Sequence, residues 1–205
     1  MFQQPFLHTR LDWSGRENLI HAIQAEYNKQ PMKKPSSWAD NVHTSIQYGG
    51  YKDNIDYFQK AGIPLDLVTE IDKIVQKFVH DLDITDIGRF YIAEMWYNAY
   101  SNAQFQHMHK HSNQNNMMFS GVYYMKYNEQ EHSATRFYNP HFEVEFDKVR
   151  HNKLFVTKPK IKENDVFIFP SDVGHDVEEQ NSKDLRITIA FNVACIFKEE
   201  MFTYD

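Results

Sequence analysis

Short segments rich in aromatic and β-branched residues fill the second half of the chain, and they limit its possible folds more than any other feature. They are separated by turn residues and read GRFYIAEMWYNAY, SGVYYMKY, TRFYNP, FEVEF, KLFVTKP, DVFIFP and LRITIAFNVACIF. Such side chains pack well on pleated sheets, and segments of this length between turns are typical of strands. The sequence after residue 85 therefore predicts seven or eight strands.

Two helices are predicted ahead of these strands. The first begins with a capping-box pattern, Ser14 three residues before Glu17, followed by the apolar residues Leu19, Ile20 and Ile23. The second has apolar residues at intervals of three and four, namely Leu67, Ile71, Ile74, Phe78 and Leu82. The segment between them, residues 31–63, is rich in Pro, Ser and Gly and is predicted to be connecting structure.

Helices followed by an antiparallel set of strands indicate an α+β fold, in which the helices support one face of a sandwich or open barrel. Aromatic residues make up 15% of the chain, so aromatic side chains must fill much of the interior. We predict a single domain over residues 1–205, with a helical part at about 1–84 and a β-barrel part at about 85–205.

Charge and cysteine content exclude several classes of protein. The formal net charge of -6 argues against nucleic acid as an obligate partner, because phosphate-binding surfaces need a basic field. Cys195 is the only cysteine, which rules out an intramolecular disulfide, and its apolar neighbours predict a packed thiol. With neither a signal-peptide pattern nor a long apolar run, we expect a cytoplasmic protein without a membrane segment.

Three histidines alternate with other residues in the stretch QFQHMHKHSNQNN. They are His107, His109 and His111, and on a strand this spacing directs imidazoles to one face, where two of them can share a metal ion. A solvated polar strand end explains the same pattern. The motif alone leaves both interpretations open.

A second motif lies downstream in DVFIFPSDVGHDVEEQNSKDLRITIAFNV. A strongly apolar strand ends at Pro170, a turn leads to His175, and Arg186 opens the next strand. In combination with HKHSN, SGVYYM and RFYNP, this order of motifs resembles the 2-oxoglutarate/Fe(II)-dependent oxygenases. The resemblance is to their prolyl-hydroxylase-like branch, especially a bacterial and phage group, and it covers residues 91–194. It implies a double-stranded β-helix, a jelly-roll or cupin-like barrel, with helices ahead of it.

The resemblance also implies roles for individual residues. His109, His111 and His175 would hold Fe(II), although His107 with His109 has the same spacing and remains an alternative first pair. Arg186 and Tyr124 would bind the distal carboxylate of the co-substrate 2-oxoglutarate, and Asn98 would line the co-substrate pocket; Tyr123 would face the other way, and Trp96 is predicted to be core. No catalytic residue is predicted beyond the metal site.

The chain departs from the usual ligand set of two histidines and one carboxylate. If His111 takes the place of the carboxylate, the ligands lose a negative charge, and the identity of the native metal becomes an open question. Asp176 follows His175 directly, so a strand would direct it to the opposite face, and we expect it at a solvated edge.

The function implied by the resemblance is hydroxylation of a substrate with oxygen, coupled to decarboxylation of 2-oxoglutarate to succinate. Peptidyl proline is the first substrate to consider, although a small metabolite or a nucleobase is nearly as plausible. The sequence identifies neither the substrate nor the oligomeric state. Two alternatives stay open. One is a cupin-type three-histidine metalloenzyme that does not use 2-oxoglutarate, and the other is a non-catalytic barrel that binds a ligand.

Overall fold

The computed structural model describes residues 6–46, 55–111, 116–138 and 156–198. The predicted strand FEVEF, at 142–146, lies outside these ranges. The helices and strands, in chain order, are β1 (Leu7–Arg10), α1 (Arg16–Lys29), β2 (His43–Thr44), α2 (Ile55–Lys60), α3 (Leu65–Asp81), β3 (Gly88–Tyr100), β4 (Gln106–His109), β5 (Met117–Lys126), β6 (Thr135–Tyr138), β7 (Val156–Thr157), β8 (Asp165–Pro170), β9 (His175–Val177) and β10 (Arg186–Phe197).

The strands form two antiparallel sheets. The larger has the order β1-β8-β5-β10-β3-β2, and the smaller has the order β4-β9-β6-β7. Aromatic rings pack between them, as in the contact of Phe137 on β6 with Phe167 on β8, whose centroids are 5.5 Å apart. Two facing sheets with strands from distant parts of the sequence confirm the predicted double-stranded β-helix.

The two faces of the larger sheet have different surroundings, because side chains alternate along each strand. Along β10, Ile187, Ile189, Phe191 and Val193 belong to the main hydrophobic core together with the helices. The intervening residues Arg186, Thr188, Ala190 and Asn192 line a cleft between the sheets. The large sheet therefore separates a helix-covered core from a polar interior.

Helix α3 supplies most of the cover on the outer face. Its buried residues are Leu67, Ile71, Val75, Phe78 and Val79, and Phe78 packs edge-on against Phe119 with ring centroids 5.1 Å apart. Burial of each such side chain contributes about 1.5–3 kcal/mol. Gly121 on β5 allows a close approach within this layer, since a Cβ there would lie 2.0 Å from the Phe191 ring.

The N-terminal region contains more structure than the sequence predicted. The capping-box prediction was wrong: α1 begins after Gly15, which makes no side-chain capping bond, although Leu19, Ile20 and Ile23 are buried as expected. Strand β1 pairs with β8, β2 pairs with β3, and α2 lies within the predicted connection. These elements are too short to produce a readable period. In the described residues, no helix combines the length and hydrophobicity needed to cross a membrane.

Candidate metal centre

Three histidine rings meet between the two sheets. Antiparallel pairing of β4 with β9 places His109 directly opposite His175, and their ring centroids are 4.2 Å apart. His111 follows the end of β4, and its ring stacks on His175 at 5.3 Å. One nitrogen from each ring lies within 4.8 Å of the others. Two nitrogens that bind one ion at about 2.0–2.1 Å are at most about 4.2 Å apart, so a small inward shift of the rings would let all three coordinate one divalent ion.

His107 is not part of this cluster. The pairing of β4 with β9 is irregular between Gln106 and His109, so strict alternation is interrupted there. The His107 side chain is 61% exposed, and its Nδ1 lies 2.8 Å from Asp40 Oδ1. Of the two candidate pairs, the structure therefore brings His109 and His111 to His175 and turns His107 outward.

Backbone carbonyls fix the protonation of two of the rings. His109 Nδ1 donates to the carbonyl of His107 at 2.8 Å, and His175 Nδ1 donates to that of Val173 at 3.0 Å. A carbonyl can only accept, so each Nδ1 carries the proton and each Nε2 has a free lone pair. Metal-binding histidines in proteins are usually oriented in this way.

Burial keeps all three imidazoles neutral at pH 7. It lowers the pKa of His111 to about 3, with a smaller contribution from the neighbouring His109. Burial also lowers the pKa of His109 and holds that of His175 well below its ordinary value. Neutral imidazoles are the form that binds metal, so the rings need not lose a charge when an ion arrives.

Arg186 opens β10 at the far end of the same cleft and is fully buried. Its Nη2 donates to Thr135 Oγ1 at 3.2 Å, whereas Nε and Nη1 have no hydrogen-bond partner within the described residues. The rings of Tyr100 and Tyr124 flank the guanidinium, with centroids 4.9 and 5.4 Å from Cζ. A buried cation with free donors is expensive unless an anion joins it.

The tyrosines divide as the sequence predicted. Tyr124 is buried beside Arg186 and donates to Thr135 Oγ1 at 2.8 Å, and burial raises its pKa. Tyr123 faces the helix-covered core. The sequence reasoning missed Thr135 and Tyr100, although Tyr100 lies opposite Arg186 in the β3–β10 register. Its position two residues after Asn98, on the same strand face, was the available signal.

Asn98 and Trp96 also line the cleft. With its amide oriented to satisfy both neighbours, Asn98 donates to Thr44 Oγ1 at 2.7 Å and accepts from Trp96 Nε1 at 3.3 Å. Trp96 is buried as predicted, and its ring lies 6.1 Å from that of His111. Both side chains therefore form part of the wall around the histidine cluster.

Asp176 does not lie at a solvated edge, and that prediction was wrong. The residue is 5% exposed; its carboxylate accepts from Arg136 at 2.5 and 2.7 Å and from the Tyr138 hydroxyl at 2.6 Å. The prediction that it points away from His175 agrees with these contacts, which draw it toward β6. A carboxylate on a strand can be buried when an arginine pairs with it, and the sequence did not reveal Arg136 as the partner of Asp176.

Comparison with known proteins identifies this arrangement. Residues 94–192 match the model of a family described as putative 2OG-Fe(II) oxygenase. These residues, just under half of the chain, are similar to the 2-oxoglutarate/Fe(II) oxygenases. This oxygenase therefore uses Fe(II), with 2-oxoglutarate and oxygen as co-substrates. Comparison with curated protein sequences gives no significant match.

Solved structures share the fold at low sequence identity. A prolyl-4-hydroxylase from Pseudomonas putida is 14% identical, with 94% of each chain covered and a TM-score of 0.56. A viral collagen prolyl hydroxylase from Paramecium Bursaria Chlorella virus-1, solved with 2OG, is 13% identical, with 94% and 97% covered and a TM-score of 0.56. The carbocyclase SnoK from nogalamycin biosynthesis is 11% identical, with 93% and 79% covered and a TM-score of 0.62.

Proposed function

We propose that this oxygenase hydroxylates a C–H bond of its substrate, with His109, His111 and His175 as the iron ligands and Arg186 as the anchor of 2-oxoglutarate. The observation that carries the proposal is Arg186, a fully buried cation that shares one cleft with the histidine cluster and has two donor atoms, Nε and Nη1, without a partner among the described residues. A linear dicarboxylate such as 2-oxoglutarate can place one end at the histidine cluster and the other end at Arg186.

The donor chemistry of the cleft fits both ligands. Three neutral imidazoles offer lone pairs to a divalent ion and leave further coordination positions to other molecules. The planar guanidinium can donate two parallel hydrogen bonds to a carboxylate, and such charge-assisted bonds are among the strongest in proteins. Thr135 accepts from both Tyr124 and Arg186, so its own hydroxyl hydrogen can be donated to the same carboxylate.

Iron, when bound, supplies the oxidation, in which oxygen and 2-oxoglutarate are consumed and succinate, carbon dioxide and the hydroxylated substrate are formed. The side chains of the cleft orient the co-substrate and keep water away from the reacting groups. Tyr100 and Tyr124 both contact the guanidinium with their rings, which restricts its movement in the cleft. Val122, Phe169 and Val177 form apolar parts of the wall, and such surfaces keep water away from the reacting groups.

The first test is binding and turnover of 2-oxoglutarate. With Mn(II) in place of iron, 2-oxoglutarate should raise the melting temperature of the wild-type protein but not that of Arg186→Ala, which should still bind the metal. With Fe(II) and oxygen, the wild type should convert 2-oxoglutarate to succinate. Metal binding without any response to 2-oxoglutarate would refute the proposal and favour a three-histidine enzyme of the cupin type.

The substrate is tested separately. Prolyl hydroxylases among the similar structures make proline-containing peptides the first choice, whereas SnoK, a carbocyclase, makes small metabolites the second. Mass spectrometry should detect a gain of one oxygen in the substrate, with stoichiometric succinate. Stimulation by small metabolites and none by peptides would exclude prolyl hydroxylation.

A further inference from the structure

A glutamine side chain lies at the Arg186 end of the cleft, and the proposed function leaves it without a role. Gln106 is 7% exposed and lines the cleft. Its amide oxygen accepts from the Tyr100 hydroxyl at 2.9 Å, whereas its amide nitrogen has no hydrogen-bond partner among the described residues. A buried amide donor without a partner is costly, so this nitrogen is suited to bind a ligand that enters the cleft.

Strand pairing places Gln106 beside the proposed anchor of the co-substrate. Tyr100 lies opposite Arg186 in the β3–β10 pairing, and its ring centroid is 4.9 Å from the guanidinium Cζ. Gln106 pairs with Val177 on β9, and Val177 packs in one small hydrophobic cluster with Tyr100. The Gln106 amide therefore lies at the same end of the cleft as the Arg186 guanidinium.

Tyr100 fixes the direction in which this amide faces. Burial raises the pKa of the Tyr100 hydroxyl, and the charge of Arg186 opposes that effect only in part, so the hydroxyl stays protonated and can donate. Because the hydroxyl donates to the amide oxygen of Gln106, the amide nitrogen is directed away from it. The side chain of Gln106 is thus held in place before a ligand arrives, which lowers the entropic cost of binding.

The distal carboxylate of a dicarboxylate can accept this further donor. Its two oxygens together offer about four acceptor positions, of which Arg186 Nε and Nη1 and the Thr135 hydroxyl can fill three. We propose that Gln106 donates to the distal carboxylate of 2-oxoglutarate and selects for a diacid, and that Tyr100 is a positioning residue that acts through Gln106. This inference rests on the proposed role of Arg186 as the anchor of 2-oxoglutarate.

Calorimetric titration of the protein with Mn(II) bound tests the contact. Gln106→Leu keeps a similar volume but removes the donor, so 2-oxoglutarate should bind about 10- to 100-fold more weakly, the range for one hydrogen bond to a charged group. The affinity for Mn(II) should not change. In 2-oxohexanoate an ethyl group replaces the distal carboxylate, so its affinity should not fall in the variant. A merely structural disturbance of the cleft would weaken the binding of both oxo acids.

A double-mutant cycle tests the positioning role of Tyr100. Tyr100→Phe frees the Gln106 amide, which must then be immobilised when the ligand binds, so the affinity for 2-oxoglutarate should fall about 2- to 10-fold. If Tyr100 acts through Gln106, the double variant Tyr100→Phe/Gln106→Leu should bind 2-oxoglutarate no more weakly than Gln106→Leu alone. Additive losses would overturn the positioning role, because they would mean that Tyr100 acts on the ligand independently of Gln106.

Gln104→Leu is the matched control. Gln104 is also buried, and its amide oxygen also accepts from a tyrosine hydroxyl, that of Tyr27 at 2.7 Å, but the described lining of the cleft does not include it. This variant should lose stability and keep its affinity for 2-oxoglutarate.

If Gln106→Leu does not fold, Gln106→Glu replaces it and should abolish binding of 2-oxoglutarate by charge repulsion while Mn(II) still binds. Affinity for 2-oxoglutarate within about twofold of the wild type, an equal loss for the two oxo acids, or an equal loss in Gln104→Leu would overturn this inference alone. A wild type that does not bind 2-oxoglutarate would overturn the proposed function itself.

Discussion

Replacing Arg186 with methionine is expected to stabilise the protein when metal and co-substrate are absent. The buried guanidinium has lost the hydration of a full charge, which costs several kcal/mol. It regains one hydrogen bond, donated to the Thr135 hydroxyl and worth about 1.5–3 kcal/mol, and two ring contacts of about 0.5–2 kcal/mol each. Methionine removes the charge and keeps part of the ring contact, about 0.3–1.5 kcal/mol per ring.

From these terms we expect Arg186→Met to raise the free energy of unfolding by about 1–3 kcal/mol. For a chain of this size, each kcal/mol corresponds to about 2–4 °C in melting temperature. With Mn(II) and 2-oxoglutarate at about 100 times Kd, the wild type gains about 2.7 kcal/mol that the variant does not. The advantage of the variant should therefore shrink by about 2.7 kcal/mol between the two conditions, and the order of stability should reverse if that advantage is below about 2.7 kcal/mol.

The assay is urea unfolding with a chelator and again with Mn(II) and 2-oxoglutarate. Arg136→Met is a matched control with the opposite sign, because Arg136 pairs with the buried Asp176 carboxylate and its loss should destabilise the protein by about 1–3 kcal/mol. The reasoning would be refuted if Arg186→Met were less stable than the wild type under chelation, or if it retained the stabilisation by 2-oxoglutarate.

Three other changes have defined outcomes. His109→Ala should abolish stoichiometric metal binding measured by plasma mass spectrometry, whereas His107→Ala should retain it; equal losses would contradict the ligand assignment. Tyr124→Phe keeps the ring but loses one hydrogen bond, so the affinity for 2-oxoglutarate, measured by calorimetry, should fall about 5- to 10-fold; unchanged affinity would exclude the hydroxyl from the site. Burial lowers the pKa of His43 and of His132, so the unfolded chain binds more protons below about pH 6.5, and the free energy of unfolding should fall as pH decreases from 7 to 5. Replacing both histidines with Gln should reduce this dependence of the free energy of unfolding on pH, measured by urea unfolding. A wild-type free energy of unfolding that rises as the pH decreases would contradict the prediction.

Periodicity was sufficient to predict the helix at α3 and the long strands, because each buries a continuous stripe or face. It failed for β1 and β2, whose four and two residues are defined by the neighbouring strands with which they pair. The α1 start was also misread, since Trp13 and Gly15 pack together where Ser14 was expected to cap. Tertiary contacts decide such short features.

The candidate site was predictable where a motif marked a strand end, as for His175 and Arg186. It was not predictable where the backbone departs from regular pairing. The irregularity in β4 turns His107 toward Asp40, and the bulge in β3 brings Glu94 to Asn192. An extra residue in a strand changes which side chains share a face, and alternation in the sequence does not show where that occurs.

The most direct test of the account is a crystal structure of the protein grown without oxygen, with Fe(II) and the inactive co-substrate analogue N-oxalylglycine. We predict a single iron bound by one nitrogen each of His109, His111 and His175, and a carboxylate of the analogue paired with the Arg186 guanidinium. Iron bound elsewhere, or an analogue whose carboxylate does not contact Arg186, would contradict it.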